Sequence, residues 1–294
     1  MEKVRIDFRD QIAKNKRKSF FLIVIIFVFI VLLGYIISFA FEPGYFFIIM
    51  ILAIIISLTY PLISYYNSAR IAIVSVGAKK ASRGEYTDYY RIVEGLTIAS
   101  GLPMPELYVM HSNQINAFAS GRDPKHAVVC VTEGALEKLD RRELEGVLAH
   151  ELSHIGSYDI RYITLVTVMV GMVAIISELF LRSLWFRGGE DRGKGNVIFI
   201  LIGIVLAILA PIVVQLVQLA ISRKREYAAD ATAVEYTRYP TGLINALKKI
   251  KTDAVGSEKH VSKAVAPLFF ANPLRGLTST HPPLDDRIKV LERM

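Results

Sequence analysis

The chain has 294 residues, 53% hydrophobic and 21% charged, with a formal net charge of +8. That apolar content excludes a disordered chain, and a single cysteine excludes a disulfide scaffold. Half of the charge excess lies in residues 1–18, which carry seven basic and three acidic side chains, so the charge does not point to nucleic acid.

From the N-terminus, residues 1–18 read as a basic cytoplasmic segment followed by two uncharged stretches, Ser19 to Phe41 and Pro43 to Ala69. Each exceeds the ~20 apolar residues needed to cross a bilayer core, and residues 19–69 are expected to form a transmembrane hairpin. The apolar region is too long for a cleaved signal peptide and no small-residue cleavage site precedes Glu42. The turn Glu42-Pro43-Gly44 carries no basic residue, so the positive-inside rule puts the N-terminus in the cytoplasm.

Residues 70–161 are mixed in composition and read as the first part of a soluble domain. Tyr86 to Ser100 has the spacing of an amphipathic helix that ends at Gly101. Glu106 to Met110, Asn116 to Ser120 and Ala127 to Thr132 read as strands of a small sheet, with Cys130 a buried structural thiol in the third. In Asn116-Ala117-Phe118-Ala119 the small alternate residues suit an edge strand beside which an extended peptide could lie, while the residue types alone favour an ordinary strand with Phe118 in the core. Asp140 stands three residues before Glu143, the spacing of a capped helix start.

That helix carries His150-Glu151-Leu152-Ser153-His154. Two imidazoles four positions apart share one helix face and can reach one zinc ion, with Glu151 able to address a water on it. Two further apolar runs, Tyr162 to Ser177 and Asn196 to Ser222, flank a charged loop and define residues 162–222 as a second membrane hairpin. Residues 223–294 then form the second part of the soluble domain. Glu226 is the candidate third ligand, and Asp230, one turn later, can hold the other ring nitrogen of a ligand histidine. Taken alone, the same pair also fits a solvated helix start. Zinc at these residues requires His154 and Glu226 on one side of the membrane, so 162–222 crosses twice or not at all, and twice is expected. His111, His126 and His260 lack ligand spacing and read as surface or structural residues.

These motifs, with Thr280-His281-Pro282-Pro283 and Arg287, resemble the HtpX family of membrane zinc metalloproteases, which is related in motif to the type I CAAX prenyl proteases. The resemblance runs over nearly the whole chain. It implies an α+β zincin-like metalloprotease domain fused to an integral helical membrane region of about four transmembrane helices. It further implies one zinc ion per chain on His150, His154 and Glu226, with Glu151 as catalytic base. His281 and Arg287 are implied as donors to the oxyanion; read by themselves they equally fit a loop histidine and an ion pair with Asp285 or Asp286. The expected function is cleavage of membrane-protein or peptide substrates on the cytoplasmic side of the cell (inner) membrane, in stress-linked quality control, with the lipid bilayer as partner and no nucleic acid. The rivals are a prenyl-protein endoprotease and, from another class, a metal transporter or non-catalytic membrane adaptor. Transport predicts ionisable residues at the bilayer midplane, whereas His150 and His154 follow the charged stretch Arg141, Arg142, Glu143 and Glu145.

Overall fold

A computed structural model of the chain describes residues 8–38, 43–166, 203, 223–253 and 282–294. The charged loop, nearly all of the second apolar hairpin, His260 and His281 lie outside the described residues.

Helix α1 (Phe8–Ser38) is continuous through the basic segment and the first apolar run, so the boundary expected at residue 18 is no break in structure. Lysine and arginine are good helix formers, and the helix propagates through them once the apolar part is ordered. A 3-10 turn (Pro43–Tyr45) leads into α2 (Phe46–Tyr66), which ends short of the expected residue 69, and α3 (Ser68–Ser75) follows. The windows Asn15–Tyr35 and Phe46–Tyr66 are long and apolar enough to cross a membrane. Phe20, Phe21, Phe47, Ile51 and Ile63 are exposed on this pair of helices. The two axes approach closely where Gly34 meets Ala53, since a Cβ on Gly34 would stand 2.2 Å from that of Ala53.

Beyond these helices the described chain is built on a sheet of β1 (Lys79–Lys80), β2 (Glu106–Met110), β3 (Ala117–Gly121) and β4 (Ala127–Thr132), in the order β1-β2-β4-β3. β2 and β4 are parallel and the other two pairings antiparallel. The two-residue β1 carries no periodic signal and escapes sequence reading. One sheet face packs on α3 through Ala72, Ile73, Phe118, Val128 and Cys130. The other face carries Leu107, Ala117, Ala119, Val129 and Val131 into the main core, against α4 (Thr87–Ser100) and α6 (Arg141–Gly156). A short α5 (Glu133–Lys138) connects β4 to α6.

Helix α6 is the hub. Asp140 accepts the Glu143 N–H at 2.9 Å while the Glu143 carboxylate accepts the Asp140 N–H at 2.8 Å, a reciprocal cap that starts the helix where its residue spacing predicts. Beyond the cap it is surrounded by β3, α4, α7 (Arg223–Thr237) and α8 (Pro240–Asp253), and Leu148 and Leu152 are fully buried. Its approach to α8 is backbone to backbone: a Cβ on Gly146 would lie 2.7 Å from the Leu243 nitrogen. Helix α9 (Leu284–Leu291) closes the core through Ile288 and Leu291.

Candidate metal centre

The α-helical register of α6 places His150 and His154 one turn apart on one face, with their rings edge to face at a centroid distance of 4.8 Å. Their Nε2 atoms are 3.2 Å apart. Helix α7 crosses this face and brings the Glu226 carboxylate to both rings, Oε1 3.6 Å from His154 Nε2 and Oε2 3.7 Å from His150 Nε2. All three side chains are buried, and one ligand atom from each falls within 4.8 Å of the others. Ligands bonded at ~2.0–2.2 Å to one tetrahedral ion stand ~3.3 Å from one another, so this donor set of two imidazoles and a carboxylate fits zinc and leaves a fourth position open.

What turns both Nε2 atoms inward is a carboxylate behind each ring. Asp230 Oδ1 lies 2.9 Å from His150 Nδ1, and Asp230 is in turn gripped by Arg287, whose Nε and Nη2 donate at 2.9 and 2.6 Å. Burial and the Arg287 guanidinium outweigh Asp230 and push His150 down to about 4, leaving the ring in the neutral form that a metal ligand requires. Behind the other ring, Asp159 Oδ2 lies 3.2 Å from His154 Nδ1. Burial opposes the charge on Asp159, but His154, Arg225 and Ser157 hold its carboxyl below the ordinary value. Burial likewise opposes a charge on His154, yet Asp159 and Glu226 raise it to about 9, the response of an imidazole enclosed by carboxylates. The pocket is built to stabilise a cation.

Glu151, next in sequence to His150, is 2% exposed. Burial raises its carboxyl to about 7, with the adjacent Glu226 contributing, against His154, the Ala119 backbone N–H that donates to it and Arg287. The base candidate therefore faces β3. That strand is terminal in the sheet, as expected, and its alternation divides its side chains: Phe118 enters the core against α3, while Ala117 and Ala119 face α6. Asn116 Oδ1 accepts the Ala117 N–H at 3.0 Å, so the amide side chain caps its own strand.

His150, Glu151, His154, Glu226 and Asp230 are thus drawn together from α6 and α7. Arg287 joins them, but not at an open position: it is 0% exposed, pairs with Asp230 rather than Asp285 or Asp286, and places Nη1 3.5 Å from Glu226 Oε2. Sequence reading misses Asp159, Arg225 and Asn15. Asp159 follows His154 by five positions, just past the helix end, where no helical period marks it. Asn15 lies in the segment read as basic and cytoplasmic, among Lys14, Lys16, Arg17 and Lys18, where nothing marks a buried residue.

The family model described as Peptidase family M48 matches residues 85–294. A protein named "Protease HtpX homolog" from Dictyoglomus thermophilum is 42% identical over 291 residues, covering 98% of this chain and 95% of that one. Another of the same name, from Caldanaerobacter subterraneus subsp. tengcongensis, is 43% identical over 290 residues and covers 96% of each. Among solved structures, "Crystal Structure of S. mikatae Ste24p" aligns with a TM-score of 0.52 at 20% identity, over 96% of this chain and 66% of that one. The match spans just under two thirds of the Ste24p chain, and at that identity it is a likeness of fold.

Proposed function

This chain belongs to peptidase family M48 and is a metalloprotease, and we propose that it is a membrane-embedded zinc endopeptidase acting on membrane proteins. The observation that carries the proposal is the convergence of His150, His154 and Glu226 beside a buried Glu151 that faces the terminal strand of the sheet. His150, His154 and Glu226 would hold a zinc ion, which when bound would supply Lewis acidity and lower the pKa of a water. Glu151, raised to about 7, is matched to taking a proton near neutral pH and returning it to the leaving amine. An extended substrate pairs with β3, the terminal strand of the sheet among the described residues, beside Glu151. Arg287 acts by holding Asp230 and Glu226, and the donor to the oxyanion is His281, as the family resemblance implies.

The apolar α1 and α2 support membrane embedding, and the basic residues that open α1 support a cytoplasmic site. A second crossing pair over 162–222 completes the topology. Clearing damaged membrane proteins is the role that follows. The test is zinc content and cleavage of a membrane-protein substrate by the wild type and Glu151→Gln. The variant keeps zinc and loses activity by ~10²–10⁴-fold, and near-wild-type cleavage would remove Glu151 as the base. For the topology, a cysteine at the exposed Ile98 in a Cys130→Ala background resists an impermeant thiol reagent until the cells are opened, and ready labelling of intact cells would invert it.

A further inference from the structure

Between α6 and the helical residues 159–166 the chain turns through Ser157 and Tyr158, and this turn aims Asp159 back at His154. Tyr158 has φ +60°, a left-handed conformation that is unfavourable for a non-glycine residue and therefore needs support from its surroundings. The support comes from α1. Asn15 Nδ2 donates to the Ser157 carbonyl at 3.0 Å and to Asp159 Oδ1 at 2.7 Å. Lys16 Nζ sits 4.5 Å over the Tyr158 ring. Ser157 Oγ donates to Asp159 Oδ2 at 2.8 Å, so both oxygens of the carboxylate are fixed. Asn15 is 3% exposed although it stands at the head of a membrane-length apolar helix.

A buried amide in such a place is costly unless it is satisfied, and here it is satisfied by the one carboxylate that orients His154. Leu22, Ile26 and Phe29 of α1 pack with Tyr162, Leu165 and Val166, so the contact is part of a packed interface rather than an isolated bond. We infer that the first apolar helix is a structural component of the metal centre. Asn15 is a positioning residue that holds the 157–159 turn, and through Asp159 the ring of His154, so the metal is held tightly only while α1 is docked. The inference rests on the reading of His154 as a ligand. Partners of metal-ligating histidines change affinity by ~10–100-fold when removed, and a residue one contact further out should act by ~3–10-fold.

The experiment is a zinc competition titration against a chromophoric chelator on the full chain in nanodiscs. It compares the wild type with Asn15→Leu, Asn15→Gln, Ser19→Ala and His154→Ala. Asn15→Leu keeps the branched shape and loses both donations, and is expected to weaken zinc binding by ~3–10-fold and to perturb the visible spectrum of the cobalt-substituted protein. Asn15→Gln, which retains the amide donor, recovers part of that loss. Ser19→Ala removes a hydroxyl that bonds only to the Asn15 carbonyl within α1, and leaves affinity unchanged. Wild-type affinity in Asn15→Leu overturns the inference, as does an equal loss in Ser19→Ala, which would make α1 mere packing. Should Asn15→Leu fail to fold, zinc release from Lys16→Ala decides: about twofold faster release supports the coupling and a wild-type rate overturns it. If His154→Ala binds zinc as well as the wild type does, the ligand assignment itself is wrong and this inference falls with it, an outcome distinct from failure at Asn15 alone.

Discussion

The two ligand histidines are oriented by the same device, an Nδ1 facing a carboxylate, but two different regions of the molecule supply it. His150 is served from the C-terminal helices, by Asp230 of α7 and Arg287 of α9, both 0% exposed. His154 is served by Asp159, whose other contacts run to Asn15 of the apolar helix α1, to Ser157 and to Arg225 of α7 at 3.4 Å. The first support is a bidentate ion pair sealed in the core, and the second is a polar turn pinned by an apolar helix. A buried, charge-compensated pair cannot lose one member without stranding the other, whereas a turn held by several neutral and charged partners can lose one and relax. The centre is therefore rigid on one side and adjustable on the other.

The largest expected effect tests the rigid side. Arg287→Ala strands Asp230 and should cost about 3–5 kcal/mol of stability in urea unfolding, while Arg225→Ala, which leaves Asn15 and Ser157 on Asp159, should cost clearly less. Equal losses would break the comparison. Lysine is not expected to rescue position 287, because the two parallel bonds to Asp230 need a guanidinium fork.

An intermediate effect comes from moving α6 as a body, which disturbs both histidines together. Gly146→Ala places a methyl 2.7 Å from the Leu243 nitrogen and 2.8 Å from its Cα, so the backbones of α6 and α8 must separate. The expected cost is about 1–3 kcal/mol in thermal melts of the metal-free protein, and an unchanged melt would show that this approach is not tight. The smallest effect belongs to the helix start. Asp140→Ala removes one half of the reciprocal cap and should cost about 1 kcal/mol with zinc affinity unchanged, since it touches neither support. A shift in a chelator titration of that variant would mean that the support of α6 is less local than this contrast holds.

Much of the centre was legible beforehand because it is local. Two imidazoles four apart on a capped helix, and a glutamate with an aspartate one turn later, are statements about helical period, and α6 and α7 present them accordingly. The strand alternation was legible too, with Phe118 in the core as its residue type favours, while the flanking alanines face α6. Arg287 was singled out but given a different task. On a helix start rich in Asp285 and Asp286 nothing local indicates a partner 57 positions away.

The sequence by itself determined the types of the longer elements, the ligand spacing on α6 and α7 and the apolar length of α1 and α2, since each depends on propensity and periodicity within a few turns. Only the tertiary structure decided which carboxylate stands behind which histidine, and that a membrane-length helix reaches into the site. Asn15 and Asp159 are 144 positions apart, and no period within a helix or strand encodes a meeting set by how helices pack and where a left-handed Tyr158 turns the chain.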